Sequence, residues 1–66
     1  MMGYPTIGSV WRHRNGNIYT VLVMANTEGT DPSKFDKYPP MVVYQGQNGK
    51  VWARRFDDWH RSMVAQ

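Results

Sequence analysis

The dipeptide Asn15-Gly16 stands between two β-prone runs, residues 10–14 and 17–25, and constrains this chain more than any other feature. Asparagine and glycine accept positive φ at little steric cost. A two-residue type I′ hairpin turn demands positive φ at both central positions, so the pattern predicts an antiparallel hairpin over residues 10–25. Its second run, Ile18-Tyr19-Thr20-Val21-Leu22-Val23-Met24, is apolar on both faces. That is the pattern of a central strand, covered on one side by the core and on the other by a tail or a neighbouring subunit.

A second hairpin is predicted over residues 41–54, with Gln45-Gly46-Gln47-Asn48-Gly49 as its turn. The stretch between the hairpins, residues 26–40, has no periodicity and carries Gly29, Pro32 and Pro39-Pro40. It is long for a connection in so small a domain, and such loops tend to be functional or flexible. Residues 1–9, with Gly3, Pro5 and Gly8, read as an irregular lead-in. In the tail, residues 55–66, the side chains of Phe56, Trp59, His60 and Met63 fall at helical spacing. Asp57 and Asp58 near the start and Arg61 later suit the helix dipole. The expectation is one mostly-β domain over residues 1–66, its two hairpins forming a small SH3-like barrel or a bent antiparallel sheet, with a short C-terminal helical turn.

The chain has 66 residues and no cysteine, so disulfides and thiolate metal sites are excluded. A core this small leaves little net stability. Aromatic packing and self-association are the remaining aids, and three Trp and four Tyr supply the first. The doubly apolar second run points to the second, a homo-oligomer. No apolar run approaches the roughly 20 residues of a membrane span. Residues 1–8 lack the basic start and apolar stretch of a secretory signal. A cytoplasmic location is therefore expected.

Taken together, Val10-Trp11-Arg12-His13-Arg14-Asn15-Gly16-Asn17-Ile18-Tyr19, Val42-Val43-Tyr44 and Trp52-Ala53-Arg54-Arg55 with Phe56 and Trp59 resemble a family of short, uncharacterised bacterial and phage proteins. That family's pattern is close to Tyr-Arg-His-x-Lys-Gly-Asn-x-Tyr, then Val-Val-Tyr, then Trp-x-Arg-Pro-x-x-x-Phe. Trp11 stands where Tyr is usual, Asn15 where Lys is usual and Arg55 where Pro is usual. The similarity spans residues 10–60. It implies a compact β-rich fold and a microbial or phage setting, but no particular activity. The loop before Val42 is longer than the family's spacing, so its content is private to this chain.

Chemistry-bearing residues concentrate in two of these blocks. Side chains alternate along a strand, so Arg12 and Arg14 share one face, Trp11 and His13 the other, and Trp52 shares a face with Arg54. Guanidinium forks grip phosphate bidentately and aromatic faces stack on bases, which is the chemistry of a nucleotide or single-strand site. The candidate ligand-binding set is Trp11, Arg12, His13, Arg14, Tyr44, Trp52, Arg54 and Arg55. The competing reading makes the indoles core and the arginines solvated strand edges that discourage aggregation. A net charge of +3 permits an anionic partner without demanding one.

Catalysis has little to stand on. His13 and His60 have no Cys, and their nearest carboxylate spacing, Asp57 with His60, offers two zinc ligands where three or four are needed. Capping or salt bridging suits that pair better, and His13 is expected to donate to a backbone carbonyl or carboxylate and order its hairpin. Ser9, Ser33 and Ser62 sit in no nucleophile motif, and no glycine run resembles a phosphate loop. Tyr38-Pro39-Pro40-Met41 reads as punctuation before a strand rather than as a proline-rich docking ligand. The expectation is a non-enzymatic binding module with no cofactor and no metal, whose partner is an anionic ligand (nucleotide or nucleic acid). The alternative is a host protein engaged through the 26–40 loop and a strand edge.

Overall fold

A computed structural model describes residues 4–27 and 37–66. The central part of the predicted loop, residues 28–36, and the first three residues of the lead-in lie outside the described residues. Five strands and one helix follow in order: β1 (Val10–His13), β2 (Ile18–Ala25), β3 (Met41–Gly46), β4 (Val51–Arg55), α1 (Phe56–Ser62) and β5 (Met63–Ala65). All five strands join one antiparallel sheet in the order β4-β3-β2-β1-β5. The two outermost strands, β4 and β5, do not pair, so the sheet stays open rather than closing into a barrel. Its bend is aided by a register shift in β2 between Val21 and Val23, where an extra residue, Leu22, increases the local twist.

Both hairpins form where the turn residues placed them, but neither turn is type I′. In the first, the Gly16 N–H donates to His13 O at 2.8 Å and the His13 N–H to Asn17 O at 2.9 Å. This is a three-residue loop closed by a glycine at φ +96°. Asn15 keeps negative φ because its carboxamide oxygen accepts the Asn17 N–H at 3.0 Å, a local bond that replaces the left-handed conformation. The second turn repeats the device. Gly49, at φ +83°, donates to Gly46 O, and Asn48 Oδ1 accepts the Lys50 N–H at 3.0 Å.

The expected short helical turn of the tail is present as α1, and a strand that the sequence did not announce follows it. Helix α1 ends at Ser62, and Met63 turns extended at φ −110°, ψ 135°. β5 then lies along β1, with His13 opposite Met63 and Trp11 opposite Ala65. The chain can turn there because Met63, although at helical spacing from Trp59, enters the core equally well from a strand. The lead-in is held too: Gly8 and Ser9 exchange backbone hydrogen bonds with Val21. At the far end Asn26, at φ 60°, donates its side-chain amide to Pro39 O at 3.0 Å and pins the base of the long connection.

Helix α1 covers one face of the sheet. Trp59 is fully buried there, with Val21, Val42, Tyr44 and Met63 around it. Six edge-to-face contacts with centroid separations of 4.7–5.6 Å run through Tyr19, Tyr44, Trp59, Trp11, His60, Phe56 and Tyr4 as one unbroken path. Each such pair adds about 0.5–1.5 kcal/mol beyond burial. Trp59→Ala is expected to cost about 3–5 kcal/mol, comparable to the whole net stability of a chain this size, and so to abolish amide dispersion in a 15N-correlation spectrum. Gly16→Ala and Gly49→Ala should each cost about 1–2 kcal/mol, read as lowered midpoints in urea unfolding followed by circular dichroism.

Candidate functional site

Strand pairing sorts the sequence-derived candidates onto two faces. Trp11, His13, Tyr44, Trp52 and Arg54 lie on the helix-covered face, whereas Arg12 and Arg55 lie on the other. β1 and β4 are separated by two strands, so the two arginine clusters stand roughly 14 Å apart in the sheet rather than facing one another. Trp11 is half-buried against Trp59 and His60, and its indole N–H donates to Ser9 Oγ at 2.8 Å. Tyr44 is buried between Tyr19 and Trp59. These two rings are core.

His13 orders its hairpin, but by accepting: its Nδ1 takes the Asn15 N–H at 3.1 Å. The expected donation is reversed because the turn directs a backbone N–H, not a carbonyl, at the ring. Among the described residues His60 has no salt-bridge partner. It lies between the rings of Trp11 and Phe56, and its Nε2 and the Trp59 Nε1 are buried without a hydrogen-bond partner. Pro39 and Pro40 lend carbonyls to Asn26 and Phe56, which fits punctuation. Among the described residues no three His, Asp or Glu side chains gather as metal ligands. Among the described residues no helix is long and apolar enough to cross a membrane.

The cations divide by position. Arg55 grips Asp57 with both Nε and Nη2, at 3.2 and 3.0 Å, and Arg54 lies 3.9 Å from Asp58. Both pairs stand where the helix begins. The opposite end of the sheet carries the two glycine-closed turns together with Arg12, Arg14 and Lys50. Among the described residues these three form no ion pair, and the only described carboxylates, Asp57 and Asp58, are engaged by Arg54, Arg55 and Arg61. The turn end is thus the cationic end.

Between the two turns lies a cleft of about 330 Å³. Tyr19 and Trp52 provide its aromatic surfaces, Asn17, Gln47 and Asn48 its amides, and Gly46 its floor. Trp52 is 50% exposed, unlike the other ring-bearing candidates of its face. Gly46 is required by space: a Cβ there would stand 3.2 Å from the Tyr19 ring and 3.2 Å from Asn48 Oδ1. Amides beside an open indole suit a flat ring with hydrogen-bonding edges. Sequence reading singled out Trp52 but missed Tyr19, Asn17, Gly46, Gln47 and Asn48. The available signal was the repeated Asn-Gly at 15–16 and 48–49, which places two equivalent turns at one sheet end.

Searched against protein-family models, curated proteins and solved structures, the chain matches none of them. The site is therefore read from its own geometry. The Arg55–Asp57 pair is half to two-thirds exposed, so a double-mutant cycle with Arg55→Gln and Asp57→Asn should give a coupling of only about 0.2–1 kcal/mol in urea unfolding.

Proposed function

We propose that this chain is a non-catalytic binding module for a phosphate-bearing ligand, a nucleotide or a single nucleic-acid strand. A base enters the cleft between Tyr19 and Trp52, and the phosphate is held by the cations of the turn end. The half-exposed Trp52 beside amide side chains carries the reading. Its indole offers a stacking face, and Asn17, Gln47 and Asn48 bring donors and acceptors toward a base edge. Arg14 and Lys50, in and beside the two turns, supply positive charge at the same end of the sheet, whereas Arg12 belongs to the opposite face. The cleft itself holds no charged side chain, so the neutral part of such a ligand belongs inside it and the anionic part at its rim. The resemblance to a small bacterial and phage family adds a microbial or phage setting to this reading, and a cytoplasmic site of action fits both.

Binding is tested with a dye-labelled ten-nucleotide single strand by fluorescence anisotropy and with mononucleotides by calorimetry. Trp52→Ala should weaken binding about 10- to 100-fold, the loss of one stacking contact worth about 1–3 kcal/mol. For a strand, log K should fall with log salt at a slope of about −1.4, since about two cations displace counterions at roughly 0.7 each. Replacing Arg14 and Lys50 together by Gln should flatten that slope. A mononucleotide held chiefly by the cleft should respond far less to salt. Unchanged affinity in a folded Trp52→Ala variant, or no binding of either probe, overturns the proposal.

A further inference from the structure

Helix α1 covers only one face of the sheet. The opposite face carries Val10 and Val64 at one side, Val23 and Val43 at the centre and Val51 at the other side. Val10, Val23, Val51 and Val64 are 40–56% exposed, and Leu22 at the bulge is 37% exposed. That much exposed aliphatic surface is uncommon on a lone small domain, where isolated exposed apolar residues are the rule. Thr20 and Gln45 lie between Val10 and Val51 on the same face, and the Gln45 side-chain amide donates to Gly49 O of its own turn at 3.0 Å.

We propose that this face is an interface between two copies of the chain, stacked sheet on sheet about a two-fold axis. Two arguments select a second copy. The first is charge placement. The face carries two arginines at diagonally opposite corners, Arg12 on β1 at the turn end and Arg55, paired with Asp57, on β4 at the helix-start end. A two-fold axis lying between the sheets, along or across the strands, brings each arginine over a valine-bearing corner of the other copy. Arg12 then faces the Val51 or Val10 corner and Arg55 the Val10 or Val51 corner. No like charges are opposed, and both guanidiniums stay at the wet rim with their stems along the valines. The second argument is size. Five strands at about 4.8 Å spacing and roughly five residues long on average give a face of about 400 Å² in projection. Two such faces pack as a sandwich about 10 Å thick with strands near −30°. The combined area lies at the weak end of specific interfaces, so the dimer is concentration-dependent. An isologous pair places the same patch on both sides, so Val23 and Val43 at the centre of one copy meet those of the other.

The cleft opens on the other side of the sheet, so this proposal stands or falls apart from the ligand. Sedimentation velocity from 10 µM to 1 mM tests it without added ligand, together with 15N-correlation spectra over the same range. A mass rising from 7.7 kDa toward twice that value is expected. Concentration-dependent shifts should fall on Val10, Val23, Val43, Val51 and Val64 and spare Tyr19 and Trp52. Val23→Lys should leave a monomer with an otherwise unchanged spectrum. Should that variant unfold, Val23→Thr keeps the β-branched shape and should weaken association at least several-fold. A 7.7 kDa species at 1 mM overturns the interface. So do shifts confined to the β4 edge, or association untouched by a folded Val23 variant.

Discussion

The structure depends on one side chain, the indole of Trp59. A seven-residue helix with no side-chain cap has little stability of its own, and nucleation cost alone makes so short a helix unfavourable in water. What holds α1 in place is the burial of Trp59 among Val21, Val42, Tyr44 and Met63 and its edge contacts to Trp11 and Tyr44. Those contacts reach β1 on one side and β3 on the other, so one ring ties together strands that are not neighbours. Tyr19, at one end of the resulting ring path, is also a wall of the cleft. The site is therefore built directly on the core.

Much of the fold was legible because turns and periodicity are local. Asn15-Gly16 and Asn48-Gly49 marked both hairpins, and the spacing of Phe56, Trp59 and His60 marked the helix. The details that failed depend on contacts that residue type and spacing do not declare, one local and one far along the chain. The turn type changed because the Asn15 and Asn48 side chains each capture a backbone N–H two residues on. β5 was hidden because Met63 satisfies helical spacing, while its pairing with β1 is decided by an unfilled strand edge that no local window contains.

The candidate site was only half legible for a related reason. Alternation correctly placed Trp52 and Arg54 on one face, but the convergence of two arginine-bearing strands assumed that β1 and β4 meet. Strand order is a property of the whole sheet, and here β2 and β3 intervene. Arg54 and Arg55 turned to Asp58 and Asp57, one helical turn or less away, which left the cleft to amides and rings that carry no charge signature in a sequence.

The place of Trp59 along the chain has a consequence for biosynthesis. Ribosomes emit β1 to β4 before α1 and β5, so both hairpins leave the exit tunnel ahead of the ring that must cover them. Until then the rings of Tyr19, Tyr44 and Trp11 have no central partner, and two-stranded hairpins are marginal in water by themselves. Acquisition of structure thus waits on the last two elements: the nascent chain stays without a core until Trp59 and Met63 emerge, and a stalled or truncated product lacking them remains a substrate for chaperones and proteases.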